Sequence, residues 1–280
     1  MSNKILKIND ISISNDLPFV LIAGPCQLES LDHSRKIAET LCKLSQKLDI
    51  SFIFKGSFDK ANRTSLKSKR GLGLEEGLTI LDKIKSEFNC PVLTDVHEPE
   101  QCSITSEVVD IIQIPAFLCR QTDLIIGAAS TGKALNVKKG QFLAPSDMKY
   151  IAEKISSVGN NNIMLCERGT SFGYNNLISD FRSIPIMAET GYPIVFDATH
   201  SVQLPGNNNG LSGGQREFVP TLACAASAVG IAAIFIETHD EPDTAPSDGP
   251  NMIPLSEMEK VISKIKTIDD VMKNFRKNSI

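Results

Sequence analysis

Apolar residues recur along this chain in short runs, each followed by a polar loop and then by a stretch with helical spacing of apolar positions. The runs span residues 19–25, 51–57, 90–96, 110–116, 134–140, 162–169, 193–200 and 232–239. Helix-like stretches include 30–48, 74–88, 146–157, 217–229 and 255–273, and several open with Ser or Asp at a capping position. Eight strand–helix units in about 250 residues are typical of a (β/α)8 barrel, so the pattern predicts an α/β fold of the TIM-barrel type. A doubly wound open sheet is less favoured, because it would carry a Gly-rich turn after its first strand, where this chain has GPCQLES.

Two segments stand outside this repeat. Residues 1–17 contain KILKINDISIS, which alternates apolar and polar residues around Asn9-Asp10 and predicts a short β-hairpin that closes one end of the barrel. The Gly-rich segment 205–217 predicts a mobile loop, with a disordered surface insertion as the alternative. We expect 205–217 and 240–253 to be active-site loops of a single domain that covers residues 1–280.

Composition narrows the class of protein. The 280 residues are 41% hydrophobic and 22% charged, which suits one well-packed domain. The net charge of −4 is spread along the chain, so we expect neither a nucleic-acid partner nor a membrane surface. Seven cysteines without a CxxC pair and an N-terminus without an apolar signal favour a reduced, cytoplasmic setting. No apolar run approaches the roughly 20 residues that a membrane-spanning helix needs.

Polar residues follow the apolar half of every predicted strand. Taken singly, a charge at a strand end is more often the solvated edge of a loop. In a barrel, however, the carboxyl ends of all eight strands converge on the face that holds the active site. The residues at these ends are Cys26, Lys55, Asp95, His97, Gln113, Lys138, Arg168, Asp197, His200, Glu237 and His239.

Two sets of side chains suggest chemistry at this face. The cations are Lys55, Lys60, Lys138 and Arg168, with Arg63 and Arg120 in neighbouring loops, and such a cluster needs anions to neutralise it. There are enough cations for two phosphorylated substrates. The second set is Cys26, His200, Glu237 and Asp248, which the adjacency of strands 7, 8 and 1 would bring together as a divalent metal site. From the residues alone, buried packing of Cys26 stays an open alternative.

Several motifs resemble one family. They are IAGPCQLES, FKGSFDKANRTS, LTDVHEP, IIQIPAFLCRQTDL, NVKKGQF, CERGTSFGYNNLISDFRS, VFDATHSVQLPG and IETHDEP. In this order they are similar to the 3-deoxy-D-manno-octulosonate 8-phosphate synthases, from about residue 17 to about residue 270. Sister enzymes that make the seven-carbon 3-deoxy-D-arabino-heptulosonate 7-phosphate typically have a KPRTS-like string where this chain has KANRTS at 60–65, which favours arabinose 5-phosphate as the aldose.

The resemblance implies roles for individual residues. Phosphoenolpyruvate would contact Lys55, Ser57, Lys60, Gln113, Ala116, Lys138 and Arg168. The aldose phosphate would face Asn62, Arg63 and Thr64, with Arg120 contributed by a neighbouring subunit of a homotetramer. Thr64 stands where many relatives have Ser, which keeps the hydroxyl. Metal-independent members have Asn at the position of Cys26, so this chain would belong to the metal-dependent class, with Cys26, His200, Glu237 and Asp248 holding one Zn, Fe(II), Mn or Co ion.

The implied reaction joins phosphoenolpyruvate, arabinose 5-phosphate and water into 3-deoxy-D-manno-octulosonate 8-phosphate and phosphate, a transferase step of lipopolysaccharide synthesis. The candidate catalytic residues are His97, Asp95, Asp248 and Lys60, the first three as proton-transfer groups. Two other classes remain open: an aldolase with Lys55 or Lys138 as a Schiff-base nucleophile, and a phosphosugar-binding regulator without catalysis.

Overall fold

The computed structural model describes residues 3–63, 65–66, 68–208 and 211–278. In chain order the strands are β1 Leu6–Ile8, β2 Ile11–Ile13, β3 Val20–Gly24, β4 Phe52–Lys55, β5 Val92–Asp95, β6 Ile111–Ile114, β7 Ala134–Lys138, β8 Ile163–Glu167, β9 Thr170–Ser171, β10 Leu177–Ile178, β11 Ile194–Asp197, β12 Gln203–Asn208, β13 Leu211–Gly214, β14 Ala233–His239 and β15 Ile253–Pro254. The α-helices are α1 Leu31–Leu48, α2 Leu74–Phe88, α3 Pro99–Val108, α4 Thr122–Ser130, α5 Met148–Ser156, α6 Ser183–Ala188, α7 Val219–Val229 and α8 Met258–Asn278.

Eight parallel strands close into a barrel, which confirms the predicted (β/α)8 fold. Their order is β3-β4-β5-β6-β7-β8-β11-β14, and β14 pairs with both β11 and β3. Closure aligns Glu237 with Gly24 across β14 and β3, and Asp197 with Phe235 across β11 and β14. The seventh, eighth and first barrel strands are therefore neighbours, as the metal-site prediction requires.

Helices form at all five stretches where the apolar spacing predicts them. Helix α1 begins after Ser30, whose hydroxyl accepts a hydrogen bond from the backbone N–H of His33 at 3.1 Å, and it ends at Asp49 in the left-handed conformation. The predicted helices at 146–157, 217–229 and 255–273 each open with a 3-10 turn, and the last continues to Asn278. Helices α3, α4 and α6 are additions to the predicted stretches.

Apolar side chains form two layers. One lies between the strands and the surrounding helices and contains residues such as Leu21, Leu41 and Ile84. The other fills the barrel and includes Ile22, Met164 and Phe235. Because β3 is buried on both faces, its run is continuously apolar rather than alternating.

The N-terminal hairpin packs against the inner layer, so the predicted closure of one barrel end is confirmed. Leu6, Ile8 and Ile13 join the apolar side chains that fill the barrel. The turn between β1 and β2 places Asn9 at φ 50°, a conformation that Asn adopts more readily than most residues.

The Gly-rich segment after β11 differs from the loop that its composition predicts. Strands β12 and β13 pair antiparallel, with Gln203 opposite Gly214 and Leu204 opposite Gly213. A Cβ at Gly214 would lie 1.6 Å from the amide oxygen of Asn251, so glycine is needed here for close packing. The glycines that suggested irregular structure therefore permit a packed hairpin, while mobility of the segment stays a prediction.

Two global properties follow from the described part of the chain. None of its helices combines the length and apolarity required to cross a membrane. All seven cysteines are free thiols.

Candidate active site

The carboxyl ends of the barrel strands surround a cavity of about 710 Å³, within the range of small-molecule sites. It gathers most of the residues that the sequence singled out: Lys55, Lys60, Asn62, Arg63, Asp95, His97, Gln113, Ala116, Lys138, Arg168, His200, Glu237 and Asp248. Cys26 and Ser57 contact this lining through Asp248 and Lys60. Arg120 is exposed and does not line the cavity of its own chain, and Thr64 lies outside the described residues.

Two buried lysines form ion pairs on the floor of the cavity. Lys55 pairs with Glu237 and donates to the carbonyl of Cys26 at 2.8 Å. Burial lowers the pKa of Lys55, and the charge of Glu237 opposes that shift. Lys138 donates to Asp197 at 2.6 Å. The strand β3 approaches Lys55 closely because Gly24 has no Cβ, which would otherwise lie 1.9 Å from the Lys55 carbonyl oxygen.

Arg168 has unused hydrogen-bonding capacity. Its Nη2 donates to the Gln203 side chain at 3.0 Å, but Nε and Nη1 are buried without a partner. Burial lowers the pKa of Arg168, and the charges of Asp197 and Asp248 oppose this effect. Unpaired guanidinium donors beside a cavity are costly unless a ligand accepts from them, so this corner is suited to a phosphate or a carboxylate.

Lys60 adds a further cation at the mouth. Its ammonium donates to the Ser57 hydroxyl at 3.0 Å. Burial alone would lower the pKa of Lys60, but the charges of Cys26, Glu237 and Asp95 raise it well above its usual range. Lys60 is therefore a permanent positive charge near neutral pH.

The predicted metal ligands do come together. Single ligand atoms of Cys26, Glu237 and Asp248 all lie within 4.8 Å of one another. The Cys26 thiol donates to Asp248 Oδ2 at 3.1 Å, and His200 Nε2 lies 3.6 Å from Glu237 Oε2 and 3.8 Å from Asp248 Oδ2. Glu237 Oε2 is buried without a hydrogen-bond partner. Sulfur, imidazole and two carboxylates converging on an unsatisfied oxygen fit a borderline-soft divalent ion.

The charges within this cluster support that fit. Burial, followed by the negative charge of Glu237, raises the pKa of the Cys26 thiol well above its usual range. Burial would also raise the pKa of Glu237, but Lys55, His200 and Lys60 lower it to about 2. A divalent cation would favour the Cys26 thiolate, because a coordinating thiol is deprotonated.

His97 and Asp95 form a separate pair on the wall of the cavity, with His97 Nε2 3.0 Å from Asp95 Oδ2. Burial would lower the pKa of His97, but the hydrogen bond and charge of Asp95 raise it. Burial would raise the pKa of Asp95, yet His97, Lys60 and Lys55 hold it well below its usual range. His97 is therefore the member of the pair suited to carry a proton near neutral pH.

Comparison with known proteins places this architecture in a family. Residues 3–274 match the DAHP synthetase I family. The chain belongs to the DAHP synthetase I family. It is similar to proteins named 2-dehydro-3-deoxyphosphooctonate aldolase, at 59% identity over 270 residues in Rickettsia felis and 60% over 270 residues in Rickettsia typhi, covering 96% of this chain and 98% of each relative. The Brucella anthropi protein of the same name is 57% identical over 272 residues, with 97% and 98% covered. These relatives confirm the resemblance found in the motifs.

The structure of this DAHP synthetase I family member also places residues at the site that the sequence did not single out for a role. Asp197 was noted only as a polar strand end, yet its Oδ2 lies 2.8 Å from His200 Nδ1 and accepts from Lys138. Gln203, at the start of β12, joins Arg168 to Asp248, donating to Asp248 Oδ1 at 3.0 Å. The position of Asp197 at the end of an apolar run was a usable signal, whereas Gln203 preceded a segment expected to be a loop.

Arg63 connects two loops at the rim of the cavity. It donates to the Gln27 side chain at 3.0 Å and to the Ser247 hydroxyl at 2.9 Å. It also donates to the carbonyl of Pro246 at 2.9 Å. The loop after β4 is thereby tied to the loop that carries Asp248.

Proposed function

We propose that this protein condenses phosphoenolpyruvate with D-arabinose 5-phosphate and water to give 3-deoxy-D-manno-octulosonate 8-phosphate and phosphate, a transferase reaction of lipopolysaccharide biosynthesis. The relatives' name supports the product, because a 2-dehydro-3-deoxyoctonate is the same eight-carbon acid as a 3-deoxyoct-2-ulosonate. The observation that carries the proposal is structural. The buried, unpaired N–H donors of Arg168 lie in the same cavity as the cations Lys60 and Lys138. The cluster of candidate metal ligands around Cys26 borders this cavity as well.

The binding roles are assigned as follows. Arg168, Lys138 and Lys60 hold the carboxylate and phosphate of phosphoenolpyruvate, supported by the burial of Arg168 and Lys138 and by the free donors of Arg168. Further contacts to this substrate come from Lys55, Ser57, Gln113 and Ala116, and the aldose phosphate meets Asn62, Arg63, Thr64 and, from a neighbouring subunit of a homotetramer, Arg120. The exposure of Arg120 outside its own cavity leaves it available for such a contact.

In the reaction, C3 of phosphoenolpyruvate attacks the aldehyde carbon, water adds at C2, and phosphate leaves with cleavage of its bond to C2. The bound anions surround the positive charge that develops at C2, while the cations keep the enol carbon aligned with the aldehyde. The attacking water loses both of its protons as C2 becomes a ketone: one balances the proton that the aldehyde oxygen gains, and the other leaves with the phosphate. We assign the donor role to His97, because Asp95 holds its pKa high, whereas the pKa values of Asp95 and Asp248 are held well below their usual range.

Cys26, His200, Glu237 and Asp248 would together hold one divalent ion of the Zn, Fe(II), Mn or Co type. When bound, the ion supplies a Lewis-acidic charge that positions a water molecule or the aldehyde oxygen. Cys26→Ser should lose metal and activity together, because a hydroxyl stays protonated near neutral pH. Cys26→Asn, which recreates the residue of metal-independent members, should retain some activity in chelator. Full activity of the unmodified protein after exhaustive chelation, with no metal found by elemental analysis, would contradict this part of the proposal.

The deciding experiment measures phosphate release with both substrates together and with each alone. Phosphate release that requires both substrates supports the condensation. The value of kcat/KM should be much higher for arabinose 5-phosphate than for erythrose 4-phosphate, because a site built around a sugar hydroxyl rejects the analogue that lacks it. The reverse preference would make the protein a 3-deoxy-D-arabino-heptulosonate 7-phosphate synthase. Binding without any release would indicate a regulator.

One observation favours a Schiff-base aldolase as the second candidate, namely the lowered pKa of Lys55. Against it, Lys55 is paired with Glu237 and donates to the carbonyls of Cys26 and Pro25, so that all three ammonium protons are engaged. Borohydride trapping of a covalent adduct would favour the aldolase.

We also infer a cytoplasmic location and a single domain over residues 1–280. The free thiols and the absence of a membrane-crossing helix among the described residues support the first inference. Lining of the cavity by residues of 205–217 and 240–253 supports their role as active-site loops.

A further inference from the structure

A second group of metal-ligating side chains lies outside the cavity. Glu29 precedes the cap of α1, His33 lies in its first turn, and His239 is the last residue of β14. One ligand atom from each lies within 4.8 Å of the others. None of the three lines the cavity described above.

The orientation of His33 leaves a ligand atom free. Its Nε2 lies 3.2 Å from Asp240 Oδ1, so this nitrogen carries the ring proton and donates it to the carboxylate. Its Nδ1 is buried, has no hydrogen-bond partner and lies 3.9 Å from Glu29 Oε1. A buried imidazole nitrogen with an unused lone pair is a preformed metal ligand.

His239 faces the same two carboxylates. Its Nε2 lies 2.8 Å from Glu29 Oε1, and its Nδ1 lies 3.2 Å from Asp240 Oδ1. In this arrangement Nδ1 accepts from the backbone N–H of Glu241 at 2.9 Å, so Nε2 donates to Glu29. If a cation takes the place of the Nε2 proton, the ring proton moves to Nδ1 and faces Asp240. The Glu241 N–H still has Asp240 Oδ1 as an acceptor at 3.2 Å, and no net proton is released.

We propose that Glu29, His33 and His239 form a second divalent-metal site. Two imidazoles and a carboxylate, with a fourth position open to water, suit Zn²⁺ or a similar borderline ion rather than Mg²⁺ or Ca²⁺. Asp240 Oδ1 orients both rings from behind, an arrangement common around metal-bound histidine. Lys36 holds the other oxygen of Asp240 at 2.5 Å.

An ion here would join the start of α1 to the end of β14. His239 leads directly into residues 240–253, which carry Asp248 and the Arg63 contacts at Pro246 and Ser247. The site would therefore anchor one end of the loop that carries Asp248, a ligand of the catalytic metal cluster around Cys26, without contacting substrate.

The test is a Co²⁺ titration of the untagged full-length protein, followed by optical absorption. The chain has four histidines, so each imidazole site can be assigned by substitution. Unmodified protein should bind two equivalents, one with a thiolate-to-cobalt charge-transfer band from Cys26 and one with ligand-field bands alone. His33→Phe and Glu29→Gln should lose the second event and keep the charge-transfer band. Asp240→Asn should weaken the second event roughly 10- to 100-fold.

Control variants separate this site from the catalytic metal cluster around Cys26. Cys26→Ser should lose the charge-transfer band and keep the second event, and His97→Gln should keep both. Circular dichroism establishes that each variant is folded, and the partly exposed Glu29 provides a second test if His33→Phe does not fold. A single equivalent that carries the charge-transfer band in the unmodified protein, or two unchanged events in folded Glu29→Gln, would overturn the proposal. Loss of the charge-transfer event alone would count against the catalytic metal site and leave this one intact.

Discussion

Replacing Asp197 by Asn probes the link between the barrel floor and the proposed catalytic metal. Asp197 is fully buried at the end of β11, where Oδ2 accepts from Lys138 at 2.6 Å and lies 2.8 Å from His200 Nδ1. Its Oδ1 accepts from the His200 backbone N–H at 2.9 Å. Asparagine has nearly the same shape but no charge, and its amide nitrogen would face either a cation or a donor.

The contacts allow two magnitudes to be assigned. Removing one partner of a buried ion pair costs about 3–5 kcal/mol, and since Lys138 lies beside the cavity we expect the lower end of this range. Loss of the carboxylate behind a metal-bound histidine typically lowers metal affinity about 10- to 100-fold, or about 1.4–2.7 kcal/mol. Both losses should occur together, because one carboxylate serves both partners.

Urea unfolding of metal-free protein measures the first loss, and Co²⁺ titration against a competing chelator measures the second. Asp110→Asn is the matched control, because Asp110 accepts from Lys85 at 2.8 Å and from the Val92 backbone at 2.9 Å at the opposite ends of the strands. It should lose stability without losing metal affinity. Unchanged affinity in folded Asp197→Asn would refute the idea that Asp197 orients His200 for metal binding.

Three further outcomes are expected. Arg168→Ala should weaken the binding of phosphoenolpyruvate by about 2–5 kcal/mol and the binding of the aldose phosphate far less, as measured by calorimetric titration of each substrate. Equal losses for both substrates would show that Arg168 does not hold the phosphate or carboxylate of phosphoenolpyruvate. The pKa of Glu237 is about 2 in the folded protein and about 4.3 in the unfolded chain. Ionised Glu237 therefore contributes its full stabilisation above about pH 4.3, and this contribution is lost as the pH falls from there towards 2. Metal-free Glu237→Gln should therefore show a shallower loss of unfolding free energy between about pH 6 and about pH 3 than the unmodified protein. At the hairpin turn, Asn9→Ala should cost about 1 kcal/mol in thermal unfolding relative to Asn9→Gly, because φ is 50°; equal stability would show that the turn is not strained.

Much of the fold was predictable from local patterns, because strands buried on both faces of a parallel barrel appear as continuous apolar runs. All eight barrel strands lie within the predicted runs, and Ser30 marks the start of α1 as its position suggested. The convergence of polar strand ends also followed, since barrel closure brings β14 beside β3. Composition did not predict the antiparallel pairing of β12 and β13 around 205–217, where Gly214 allows close packing against Asn251.

The pairing of polar groups within the mouth was decided by tertiary structure. Lys138 and Asp197 are 59 positions apart, and no periodicity reports that their side chains meet at 2.6 Å. The same holds for the unpaired donors of Arg168 and for the nitrogen of His200 that faces Glu237. The apolar pattern determines which segments become barrel strands, because a strand buried on both faces needs a continuous run of apolar residues. Hydrogen bonds and metal ligation require atoms to be placed to within a few tenths of an ångström, and the atoms belong to segments that only the folded barrel brings together.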